Sequence, residues 1–397
     1  MTPPPPNDMP SRPSRLHGFL IPMLIFAVGL ALTHVVQRTL LLRSEAALRE
    51  EFTYRVDDLV GNIRGRLAAY EEILAGVGGL FTASRAVERG DFRAYVRALK
   101  LESRYPGVQG VGFASWIPAA DRSRHVLAVR AEGFPGYDIR PPGQREWYAA
   151  ILYLEPFDWR NQRAFGYDMY SEPVRRAAME RAADEDVTSI SGRVRLVQET
   201  ERDGQAGFLM YLPVYRTGVG LDTRAQRRMA LQGWVYAPFR MNDLMSGLLG
   251  SQPGELGAAL GLKIYDGEGR DEDALMFDSA ASVDASRALH RVERAIEIHG
   301  RRWTVVAHSL PAFDARLNVD EAALVLVTGV LGSGLLGGIA WLMLTARRRA
   351  LTMAERMTCE LRLSEAKHTA VFENMSNAVA LFRASDDGRD FYFSAFN

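Results

Sequence analysis

From Ala322 to Ala346 the chain carries no charged side chain, a run of about 25 positions, where about 20 apolar residues suffice for a helix to span a bilayer. Within the run, Gly332, Gly334 and Gly337 have the G-x-G-x-x-G spacing of a dinucleotide-binding turn. That turn needs a strand before it, a soluble helix after it and an acidic residue roughly 20 positions on. Glu355 falls near that distance, but the charge-free surroundings place the glycines in lipid instead. Small residues there let helix backbones approach, and Gly334 with Gly338 has the G-x-x-x-G spacing of a packing face.

A second charge-free run, Gly18 to Val36, follows Arg12 and Arg15. It exceeds the 7 to 15 apolar residues of a signal peptide, and no small-residue cleavage site follows closely, so an uncleaved anchor is the expected reading. Arg347, Arg348 and Arg349 come directly after the later run, and the positive-inside rule then puts both chain ends in the cytoplasm. The expectation is an inner (plasma) membrane protein with two spans, at 17–37 and 322–346, and about 285 residues outside the cytoplasm, enough for two small domains. Residues 1–16 are proline-rich and poor in apolar residues, as in a disordered tail.

The 48 basic and 48 acidic side chains cancel, so no global field argues for nucleic acid as a partner. The single cysteine, Cys359, falls on the cytoplasmic side, so the outer region is held by its own core rather than by disulfides. No H-E-x-x-H, G-x-S-x-G, P-loop or C-x-x-C pattern occurs, and no catalytic residue, metal site or cofactor is assigned. His368 lacks the Glu, Arg and Pro residues that follow a phospho-accepting histidine. The acidic clusters 184–186 and 271–273 lack the regular oxygen spacing of a calcium loop and read as solvated faces.

In the stalk region 38–91, apolar residues recur at Phe52, Val56, Leu59, Ile63, Leu67, Tyr70, Ile73 and Val77 in steps of three and four, one face of a long helix. Its partner is either the following domain or the same helix of a second chain, and a homodimer is the expectation. Gly107–Ile117, Ser123–Gly133, Val194–Glu199 and Gln205–Arg216 read as strands, and Ser171 as the N-cap of a helix that begins near Pro173. Beyond about Gly220 a second lobe is expected, with a strand and helix over Leu231–Leu249 and four short strands after it. Residues 347–370 read as a weak signalling helix.

The stretches "YPGVQGVGFASWIP", "REWYAAILYLEP", "AFGYDMYSEPVRRAAMERA" and "GFLMYLPVY", in this order between two apolar runs, resemble the CHASE domain, the extracellular sensory domain of bacterial histidine kinases, nucleotide cyclases and plant cytokinin receptors. The resemblance is strongest from about Phe92 to Tyr215. It implies an α+β fold: a long N-terminal helix, then a ligand-bearing membrane-distal PAS-like lobe (92–220) and a membrane-proximal one (221–321) that couples to the second span. It also implies that Asp168, in the "G-x-D-M" position, makes a polar contact with a small ligand. The residue-based alternatives are that Asp168 caps a turn or pairs with Arg175 or Arg176. Ser191 stands where the family has threonine and Arg193 where it has proline, and the added charge suits an anion better than a neutral adenine. Phe165, Met169, Phe208 and Tyr211 match positions that would line the pocket, and Tyr148 with Trp147 could stack on a ring. Residues 371–397 resemble the start of a cytoplasmic PAS domain. The function implied is a transmembrane receptor for a small ligand, with a histidine kinase or diguanylate cyclase output; the alternative is a non-catalytic membrane-anchored binding or scaffolding protein.

Overall fold

The computed structural model describes residues 17–199, 204–249, 259–316, 319–373, 380–384 and 391–396. The expected disordered tail and parts of the expected PAS start, residues 374–379 and 385–390, lie outside them. The chain divides into two compact units, Glu45–Leu317, and Met1–Ser44 together with Asn318–Asn397.

In the first unit the order is α1 (His17–Ala83), of which residues from Glu45 belong here, α2 (Arg89–Leu99), α3 (Leu101–Arg104), β1 (Val111–Pro118), α4 (Arg122–Ala131) and β2 (Trp147–Glu155). Next come α5 (Pro173–Glu185), β3 (Ser189–Ile190), β4 (Gly207–Tyr215), α6 (Arg224–Ala230), β5 (Leu231–Arg240) and α7 (Met241–Leu249). The last part is β6 (Leu260–Asp266), β7 (Leu275–Asp278), β8 (Arg291–Ile298), β9 (Arg301–Ser309) and α8 (Pro311–Asp314). The strands form a five-stranded sheet, β2-β1-β5-β4-β3, and a four-stranded sheet, β7-β6-β9-β8. All the pairings are antiparallel.

The apolar stripe on α1 is buried along its whole length, from Phe52 and Val56 to Tyr70 and Val77. It packs on residues of both sheets in one core, including Phe113, Phe208 and Phe239 of the first and Ile264, Ile296 and Trp303 of the second. The partner of the stripe is therefore this chain's own domain, the first of the two alternatives. At about 1.5–3 kcal/mol for each buried large side chain, this face outweighs the partly exposed pairs beside it, Asp57 with Arg294 at 2.6 Å and Glu51 with Arg316 at 2.8 Å, each worth about 0–1 kcal/mol.

Four local expectations are corrected. Ser123–Gly133 is not a strand but lies mostly in α4, because Val126 and Val129, three apart, are the buried pair while Leu127 between them is exposed. Val194–Glu199 makes only an isolated bridge, Val194 to Gly207, before turning. The cap of α5 is Glu172, whose carboxylate accepts from the Val174 and Arg175 amides, while the Ser171 hydroxyl donates to the Asp168 carbonyl. Leu231–Arg240 does not open the second lobe: β5 lies between β1 and β4 in the first sheet, the short link through α6 keeping it beside β4.

The β8–β9 turn is a two-residue hairpin, His299 at φ 41° and Gly300 at φ 76°, the left-handed pair that matches strand twist. The Arg181 guanidinium of α5 donates to the His299 carbonyl at 3.2 Å, and Glu71 of α1 lies 3.7 Å from the His299 ring. Burial lowers the His299 pKa, with Glu71 opposing and Arg181 adding to the shift.

The second unit holds the first part of α1 and α9 (Val319–Glu373), two helices long and apolar enough to cross a membrane, and a hairpin of β10 (Ala380–Ala384) and β11 (Phe391–Phe396). The helices meet through small residues: a side chain on Gly29 would strike Ser333, and one on Gly329 would strike Thr33. The Thr33 and Ser333 hydroxyls donate to the carbonyls of Gly29 and Gly329 in their own helices. The close row on α9 is thus Gly329, Ser333 and Gly337, whereas Gly338 of the expected G-x-x-x-G pair faces open space. Beyond the apolar run, residues 347–371 of α9 are exposed throughout.

Candidate ligand-binding site

Asp168 is wholly buried. Its Oδ1 accepts from the Ala149 amide of β2 at 2.8 Å and the Tyr170 amide at 3.1 Å, so it does cap a turn. Its Oδ2 accepts no hydrogen bond and lies 3.4 Å from the Arg145 guanidinium, so the charge partner is Arg145 rather than Arg175 or Arg176. Burial raises the Asp168 pKa, against the opposing pull of the Ala149 amide, Arg145 and the Tyr170 amide.

The other residues implied by the resemblance fall in three places. Met169, Ser191 and Tyr211 lie with Asp168 on the α5 side of the first sheet: the Tyr211 hydroxyl donates to Met169 Sδ at 3.4 Å, and Ser191 Oγ accepts from the Leu209 amide while donating to the Gly192 carbonyl. Burial raises the pKa of the Tyr211 hydroxyl. Phe208 lies on the opposite face of β4, as the two-residue period requires, stacked on Phe239 at 4.7 Å. Tyr148 and Phe165 join the cluster under α4, where the Tyr148 hydroxyl donates to the Gly143 carbonyl and Phe165 meets Tyr137 at 4.8 Å. Arg193 reaches the second sheet, its amide donating to Asp266 at 2.7 Å and its guanidinium to the Asp273 carbonyl at 3.0 Å.

Beside Asp168 opens a cleft of about 570 Å³ between the sheet, α5 and α6, in the range of small-molecule sites. Trp116 of β1 and Trp147 of β2 stack in it with ring centroids 4.9 Å apart and planes 1° from parallel. Tyr170 and Trp234 set their edges against Trp116 at 5.0 and 5.3 Å. Arg145 lines the cleft and also faces Asp168, which ties the aspartate to the wall. On the far side the Tyr170 hydroxyl donates to Glu180; burial raises its pKa, and the Glu180 acceptor adds to the shift. Burial would raise the Asp184 pKa too, but hydrogen bonds from Arg228 and Arg224 prevail and lower it.

Sequence reading marked Trp147, and Arg176 only as a possible partner of Asp168, but passed over Trp116, Trp234, Tyr170, Arg145 and Glu180. The available signal was register: Trp116 pairs with Ala149 and Trp234 with Ala114, each large ring opposite a small residue on one sheet face.

Residues 85–277 match the CHASE domain family. The matched segment takes in the first sheet, α5 and the cleft, and ends in β7. A CHASE domain points to an extracellular sensing module of a signalling receptor that takes a small ligand. No curated protein matches the chain.

Proposed function

We propose that the chain is a two-span membrane receptor whose CHASE segment lies outside the cytoplasm, binds a small molecule in the Trp116–Trp147 cleft, and signals to a cytoplasmic output module of the histidine kinase or diguanylate cyclase type. The carrying observation is the cleft itself: aromatic walls with a few placed charges, joined through Arg145 to the buried Asp168. The strand order of the first sheet supports reading it as a PAS-like lobe, with the second sheet as its smaller companion.

A ligand shifts a receptor only through a difference in its affinity for two states. The element placed to differ is α5. It carries Arg176 and Glu180 to the cleft and Arg181 to the β8–β9 turn, so a displacement of α5 on binding moves the second sheet. A pairing of two chains would use a face other than the α1 stripe, which the chain's own core consumes.

Two measurements test this reading. Cys359 is exposed on α9, ten positions after Arg349, the last of the three arginines that follow the apolar run. A membrane-impermeant maleimide should leave it unlabelled in intact cells and label it after permeabilisation; labelling in intact cells reverses the topology. Separately, the detergent-solubilised chain is melted with small organic acids, purines, amino acids and peptides. A compound at about 100 times its Kd should add about 2.7 kcal/mol, and the gain should vanish in Trp147→Ala. A gain that survives this substitution moves the site out of the cleft.

A further inference from the structure

We infer that the cleft is built for a ring-bearing zwitterion, an aromatic α-amino acid in chemical class; this deepens the proposed function and rests on the cleft being the ligand site. The first argument is charge. Six charged side chains line the cleft: Arg145, Arg176, Arg228, Glu146, Glu180 and Asp184. Arg145 is committed to Asp168, Arg228 to Asp184 at 2.6 Å, and Glu180 to the Tyr170 hydroxyl. Among the described residues, Arg176 has no carboxylate within ion-pair distance, and its guanidinium lies over the Tyr170 ring at 5.7 Å. Glu146, next to Trp147, has no cationic partner among the described residues. One guanidinium and one carboxylate are left without a hydrogen-bond or ion-pair partner among the described residues, and a ligand carrying a carboxylate and an ammonium group satisfies both.

The second argument is shape. Trp147 is half-buried, and among the described residues Trp116 is its one ring partner and no guanidinium lies over it. A flat ring laid there extends the stack, and offset aromatic pairs add about 0.5–1.5 kcal/mol beyond area burial. Arg176 offers a carboxylate a paired set of donors. An ammonium group near Glu146 also lies beside the indole, where a cation is favoured. A dicarboxylate or a polyamine would satisfy one of the spare groups and repel the other.

The test uses the full chain in detergent and four probes: L-phenylalanine, 3-phenylpropionate without the ammonium, phenethylamine without the carboxylate, and glycine without the ring. Binding is read by tryptophan fluorescence and by calorimetry. L-Phenylalanine should bind roughly 10-fold or more tightly than each of the others, the effect of losing one charged hydrogen bond or, for glycine, the buried ring. Arg176→Gln should abolish its advantage over phenethylamine, Glu146→Gln its advantage over phenylpropionate, and Trp147→Ala its advantage over glycine. Both charged residues are on the surface, so their variants keep the fold, and Trp147→Phe should bind more tightly than Trp147→Ala. Phenylpropionate or phenethylamine binding as tightly as phenylalanine overturns the zwitterion. No binding of any of the four, beside a Trp147-dependent hit from another class, overturns it as well while leaving the cleft as the site. Binding of phenylalanine unaffected by Trp147→Ala overturns both the class and the cleft.

Discussion

Trp303→Ala is expected to cost about 3–5 kcal/mol, the range for removing a large buried aromatic, and to lower the melting temperature of both sheets together. Trp303 is fully buried on β9, an inner strand of the second sheet, opposite Asp266 of β6 and Ile296 of β8. Its ring meets the Phe208 ring of the first sheet edge-on at 5.1 Å, and Phe208 in turn stacks on Phe239. It is thus the ring through which one sheet's core continues into the other's. At about 2–4 °C per kcal/mol for a domain of this size, the fall should be on the order of 10 °C. Trp303→Phe should lose less, because the indole N–H is buried without an acceptor and its removal relieves part of the cost of the smaller ring. A loss below about 1 kcal/mol, or two separated melting transitions, would show that the sheets are stabilised independently and that α1 alone joins them.

That shared core was half legible in the sequence. The three-four spacing of the α1 stripe identifies a helix with one buried face, and the burial of Phe52 through Val77 follows it residue by residue. What covers the stripe is set by contacts far along the chain, such as Tyr70 with Phe239 at 5.0 Å, which no local pattern encodes. The same limit applies to β5. Its strand character is plain in "LQGWVYAPF", but its place between β1 and β4 depends on pairings such as Gly112 with Tyr236. The error at α4 has a different origin: "VLAV" suits a strand by composition, and only the burial of Val126 with Val129 separates the two readings.

Of the candidate site, the sequence offered one aspartate through a family resemblance and none of the geometry. The resemblance to the CHASE domain, not a local pattern, is what singles out Asp168, and the structure buries it with one oxygen lacking any hydrogen bond. The cleft beside it is assembled from β1, β2, β5, α5 and α6, with Trp116 and Trp234 over a hundred positions apart. Phe208 and Tyr211 sit three residues apart on one strand, an odd step, and an odd step in a strand separates them onto opposite faces.

Asp168→Ala is expected to cost about 2–5 kcal/mol, because it strands the buried amides of Ala149 and Tyr170 at about 1–3 kcal/mol each. Asp168→Asn keeps an acceptor for both amides and should stay within about 1 kcal/mol of the parent near neutral pH. The two variants separate hydrogen bonding from charge. Burial raises the Asp168 pKa, so the folded chain holds this proton more tightly than the unfolded chain does. The stability that the group contributes is therefore complete below the ordinary carboxylate range and is lost as pH rises through the raised folded value. Asp168→Asn has no such proton, so its melting temperature should gain on the parent's as pH is raised across that window, and the gap should be constant above it. Parallel profiles for the two proteins would mean that Arg145, 3.4 Å from Oδ2, cancels the burial cost in full. In that case removing the charge would free Arg145 to turn into the cleft, and Asp168 would act on the ligand by positioning that guanidinium rather than by touching the ligand itself.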